Sequence, residues 1–74
     1  MKLSDWIRDA RESSGMSQHA LAMRLHTDQG LVSRWETGLV TPRTETIIRI
    51  AQVTNVPLPV AIKTKLEEWG KWIS

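Results

Sequence analysis

The stretch Ser17–Gly38, SQHALAMRLHTDQGLVSRWETG, decides how the rest of the chain is read. It scans as two short helices joined by a tight turn. Ser17 is placed to cap the first, because its hydroxyl can accept a hydrogen bond from an amide of the first turn that has no partner within the helix. Leu21, Ala22 and Leu25 follow as an apolar stripe at helical spacing. The pattern breaks at His26 and Thr27. Asp28 then caps a second helix that runs to Thr37, and Gly38 supplies the left-handed residue that ends it. Two helices separated by so short a turn must cross steeply. At about 100° per residue, Val32 and Trp35 share the inward side of the second helix. Gly30, Ser33, Arg34 and Thr37 point the other way, with Gln29 at the helix start. That outward face is polar, compact and poor in acid, where a merely solvated helix usually carries long Glu and Lys side chains. Such a face can enter a nucleic-acid groove and hydrogen-bond base edges.

Working outward, Leu3–Ser14 reads as a first helix capped by Ser4, with Asp5 in its first turn and Gly15 closing it. Leu3, Trp6, Ile7 and Ala10 give it one apolar side. On the other flank, Leu39–Pro42 is a loop, and Thr44–Thr54 a helix with Glu45 in its first turn, an inward stripe through Ile47, Ile50 and Ala51, and Asn55 as its stop. Val56-Pro57-Leu58-Pro59 is a stiff extended connection. From Val60 onward, Ile62, Leu66, Trp69 and Ile73 fall at i, i+4, i+7 and i+11, which predicts a fifth helix with the charges largely off the stripe.

These residues carry a resemblance. Arg11, Gly15, Met16, Ser17, Gln18, Leu21, Ala22, Glu36, Gly38 and Pro42 match, in order, the pattern of the Cro and phage-repressor helix-turn-helix family. No one of these positions is specific, but ten in register over one stretch are, and the resemblance runs from Leu3 to about Leu58. It implies an all-α fold, a compact five-helix bundle of the phage-repressor type, with residues 1–58 as the helix-turn-helix DNA-binding domain. The tail is the least family-like part, and its own stripe makes 59–74 a C-terminal helix expected to complete the core and dimerise.

The resemblance also assigns roles. Base contacts fall to Gln29, Gly30, Ser33 and Arg34. Gln29 suits adenine N6 and N7, and Arg34 suits guanine O6 and N7. Gly30 stands where relatives often carry a second reading side chain, which points to close backbone approach instead. Leu31 is either half-buried or against a thymine methyl. By resemblance Gln18, which also braces Gln29, and Thr37 contact phosphate. Beside these, His19 either approaches the backbone or is solvent-exposed, and Arg43 substitutes for the cations missing from the loop as a phosphate contact. Arg11 and Glu36 are expected to form a structural ion pair. Such a pair adds little net stability, yet losing one partner leaves a buried charge unpaired at about 3–5 kcal/mol.

The loop departs from the family. Where relatives often place Lys or Arg for phosphate, this chain has Leu39, Val40 and Thr41. Leu39 and Val40 either meet a dimer partner or fold back on the local core. Trp69 and Trp72 exceed what a small core needs, and aromatic residues are enriched in interfaces, so they too are expected in the dimer contact.

Composition bounds the function without choosing it. With 74 residues the chain is one small domain, near the size where a single core is barely adequate. There is no cysteine for a disulfide or thiolate site. His19 and His26 have no convergent carboxylate, so neither a metal nor a cofactor is expected. No apolar run approaches the ~20 residues of a bilayer span, and no secretion signal is evident. The net charge of +2 is a faint hint of an anionic partner.

The expectation is a non-enzymatic, cytoplasmic transcription regulator of a bacterial host cell, with double-stranded operator DNA as partner, a homodimer, no membrane partner and no small-molecule ligand. With no ligand-sensing second domain in the sequence, a simple occupancy switch of the Cro type fits. A restriction-system controller or an antitoxin would share the DNA mechanism. The alternative is a protein-interaction module of the same fold without DNA affinity.

Overall fold

A computed structural model describes residues 2–60 and 62 of the chain. Among these residues there are four helices and no strand: α1 (Leu3–Ser13), α2 (Gln18–Arg24), α3 (Gln29–Thr37) and α4 (Thr44–Thr54). The all-α fold stands, but the fifth helix is not among them. Its expected span falls, beyond Val60 and Ile62, on residues outside those described. Val60 and Ile62 are helical, and Ile62 is buried.

Each boundary has a local cause. The Ser17 side chain accepts from Ala20 N–H at the start of α2, and the Asp28 side chain accepts from Leu31 N–H at the start of α3. The first helix differs from expectation. It begins at Leu3, with Lys2 as an extended N-cap that offers no side-chain bond, so Ser4 lies inside the helix. Moving the cap two residues earlier lets Leu3 and Trp6 pack against the core as one face. Burial of that kind outweighs a cap of about 1 kcal/mol.

At the other end of α1, Gly15 takes φ +71°. Its amide donates to Glu12 O, and the next amide, Met16 N–H, donates to Arg11 O. These paired bonds satisfy carbonyls that a helix end otherwise leaves bare. The same closure recurs at α2 with His26 (φ +57°), where Thr27 N–H donates to Ala22 O. It recurs at α4 with Asn55 (φ +56°), where Val56 N–H donates to Ala51 O. His and Asn are among the residues that accept this left-handed geometry more readily than most.

One core joins the helices. Ile7 and Ala10 from α1, Leu21, Ala22 and Leu25 from the α2 segment, Val32 and Trp35 from α3, and Ile50 from α4 form a buried cluster. Leu3, Trp6, Met16, Leu31, Val53 and Val56 pack around it. Two polar ties fasten α1 to the region after α4. Ser14 Oγ lies 2.9 Å from Thr54 O and 2.8 Å from Ala10 O, sharing its one proton between them. Trp6 Nε1 donates to Pro57 O at 3.3 Å. Leu39 is 78% exposed, so it does not fold back on the local core.

The two serines give a direct check on the boundaries. Ser17→Ala should lower unfolding free energy by ~1 kcal/mol, whereas Ser4→Ala should stay within ~0.5 kcal/mol of the parent. Urea denaturation followed by circular dichroism would measure both; equal losses would return Ser4 to the role of a cap.

Candidate nucleic-acid interface

The outward face of α3 is defined by what the helix buries. Val32, Trp35 and Glu36 are buried, while Gln29, Gly30, Arg34 and Thr37 are exposed and Ser33 is half-buried. Leu31 is partly buried against the core, which settles its burial toward the helix flank. Gln29 opens the helix immediately after the Asp28 cap. Gly38 ends it at φ +82°, and Val40 N–H reaches back to Arg34 O at 3.2 Å. The Thr37 hydroxyl donates to the same carbonyl, also at 3.2 Å.

The opposite side of α3 is held by a buried carboxylate. The Glu36 side chain is 1% exposed. Arg11 Nε donates to its Oε2 at 2.6 Å and Arg11 Nη2 to its Oε1 at 2.9 Å, a two-pronged pair. Arg11 Nη1 also donates to Met16 O at 2.9 Å, so one guanidinium fixes both α3 and the turn between α1 and α2. Gln18 Nε2 adds a donor to Glu36 Oε1 at 3.3 Å. Arg8 completes the set, Nε to Glu36 Oε1 at 3.4 Å and Nη2 to the Glu36 carbonyl at 3.2 Å.

Burial is the largest single influence on the Glu36 carboxyl and pushes its pKa up. The hydrogen bonds from Arg11, Gln18 and Arg8, with the charge of Arg11, together outweigh burial and leave it below the ordinary value. The Arg11 guanidinium is shifted up, first by its hydrogen bond to Glu36, against an opposing effect of burial.

Two features depart from the sequence reading. Gln18 was expected to brace Gln29, but among the described residues no hydrogen bond joins them. The buried carboxylate, which must replace its lost water, takes the amide donor instead. Arg8 was missed altogether. It lies one helical turn before Arg11, and the i, i+3 spacing on one face is the signal that could have found it.

The remaining candidates are peripheral. His19 and Arg43 are exposed, and Arg43 is the extended residue before α4. Val40 is 38% exposed beside Leu39 in the loop after α3. Trp69 and Trp72 lie outside the described residues. Among the described residues no cluster of three or more His, Cys, Asp or Glu is arranged to hold a metal ion, and no helix is long and apolar enough to cross a membrane.

Comparison with known families gives a match to a helix-turn-helix family, that of the phage-repressor and Cro type, over residues 7–60. The chain belongs to this family. No curated protein and no solved structure gives a significant match. The matched span takes in α2, α3 and α4, Glu36 with all its donors, and most of α1.

Because the Glu36 pKa is lower in the folded chain, its contribution to stability is present above the unfolded value of about 4.3 and lost as pH falls through the folded value. Urea midpoints should therefore drop in acid, and Glu36→Gln should flatten that limb while lowering stability at neutral pH. Arg11→Ala should cost ~3–5 kcal/mol. Arg8→Ala, whose side chain is 46% exposed, should cost under ~1 kcal/mol.

Proposed function

We propose that the chain is a sequence-specific DNA-binding transcription regulator of the Cro or repressor type, acting as a dimer on a pseudo-palindromic operator. The observation that carries this reading is the α3 face: exposed, compact and poor in acid, on a helix whose other side is clamped by Glu36 and its donors. A helix in a major groove needs both a low profile and a fixed orientation, because base contacts tolerate little error in angle.

In this reading Gln29 donates to and accepts from adenine, and Arg34 donates to the two acceptors of guanine. Ser33 and the Gly30 backbone approach the bases. His19, Thr37 and Arg43 border the groove and contact phosphates, and Gln18 supports the helix through Glu36 while its second amide hydrogen faces phosphate. The chain acts by occupying its site, with no catalytic step and no bound cofactor.

One feature supports self-association. Leu39 stands exposed at the end of the reading helix. In this reading Leu39 and Val40, together with Trp69 and Trp72 beyond the described residues, meet a second copy. Paired reading helices would then address half-sites about 34–36 Å apart.

Selection of bound duplexes from a random pool, at stated salt, tests the function. An inverted repeat with half-sites one helical turn apart is expected; no enrichment by folded protein would favour an interaction module. Gln29→Ala and Arg34→Ala should each relax preference at one or two base pairs by ~1–3 kcal/mol. In sedimentation, replacing Trp69 and Trp72 with Ala should shift the protein toward monomer, and an unchanged dimer would move the contact away from the tail.

A further inference from the structure

Gly30 lies in the first turn of α3 with no left-handed backbone to explain it. A glycine inside a helix weakens it relative to alanine, so its presence asks for a reason other than conformation. The reason lies in the space beside it. A Cβ at Gly30 would stand 3.0 Å from Asp28 Oδ1 and 3.6 Å from Arg34 Nη1. The first atom belongs to the carboxylate that caps Leu31 N–H at 2.9 Å. The second belongs to a side chain one turn later, lying back toward the helix N-terminus as long helical side chains do. Two charged groups of opposite sign thus flank the hollow that residue 30 leaves.

We propose that Gly30 is a positioning residue for sequence readout: its missing side chain lets Arg34 fold back over the first turn of α3, where the guanidinium is presented beside Gln29. The inference rests on the DNA-reading role of α3 and deepens it. An arginine side chain has many rotamers, and ordering it on binding opposes affinity. A hollow that accepts the guanidinium, next to a carboxylate fixed by its capping bond, narrows that choice before DNA arrives. A single added carbon is tolerated by the guanidinium, since 3.6 Å is ordinary contact, and asks Asp28 to yield only a few tenths of an ångström. A longer side chain occupies the place of Arg34.

The test compares Gly30→Ala, Gly30→Met, Arg34→Ala and the Gly30→Met, Arg34→Ala double variant in the same random-pool selection, with thermal melts to verify folding. Alanine and methionine are both strong helix formers; Gly30→Leu replaces the methionine variant if that does not melt cooperatively. The parent should show a guanine preference that Arg34→Ala abolishes. Gly30→Met should reduce that preference roughly tenfold, and should add no further loss of preference in the double variant. Gly30→Ala should lose less of it than Gly30→Met does. A methionine variant with the full preference, or an alanine variant that loses it as completely as methionine, overturns the positioning role. A parent that enriches no sequence overturns the DNA-reading role itself, a result distinct from either.

Discussion

A carboxylate with 1% of its side chain exposed must be given donors in place of water, and Glu36 receives them from Arg8, Arg11 and Gln18. Those donors sit on α1 and at the first residue of α2, so the charge on α3 can be satisfied only when three helices have met in one arrangement. Apolar packing around Val32 and Trp35 pulls α3 inward but does not specify its rotation closely, since hydrophobic attraction is non-directional. The forked bond from Arg11 is directional. It fixes which residues of α3 face outward, and the low profile of Gln29, Gly30, Arg34 and Thr37 has meaning only because of that orientation.

The fourth helix is held by different means. It buries Ile47, Ile50 and Ala51, and its end is tied to α1 through Ser14 at Thr54 O, while Trp6 reaches Pro57 O just beyond. These bonds are single and neutral. They register α4 against α1 without bearing directly on α3. The molecule therefore divides into a polar-locked reading unit, α1 to α3, and an apolar buttress that closes the core behind it.

Most of this was legible in the sequence where the signal was local. Ser17, Asp28, Gly38 and Asn55 marked helix ends because capping and left-handed closure depend on neighbours a few residues away. The Ser4 cap failed because a weak local preference competed with burial of Leu3 and Trp6, which only the assembled core reveals. The Arg11–Glu36 contact followed from family resemblance, and no local rule would have found it across 25 residues. Arg8 and the turning of Gln18 toward Glu36 were not legible, because a buried acceptor recruits whichever donors the tertiary fold brings near. The space beside Gly30 was invisible for the same reason: a glycine shows nothing of which side chains will lie across it.

The donors around Glu36 come from residues behind α3, and none comes from its outward face. In the proposed reading, retention of the fold and choice of target are thus written in separate sets of side chains. Exchanges at positions 29, 33 and 34 would leave the Glu36 lock intact, so on that reading a lineage could change its address on DNA by substitution at the surface alone. The hollow at position 30 is the exception, since there a change on the surface alters the reach of a neighbour. Drift at 30 and 34 should therefore be paired, while drift at 29 remains free to proceed by itself.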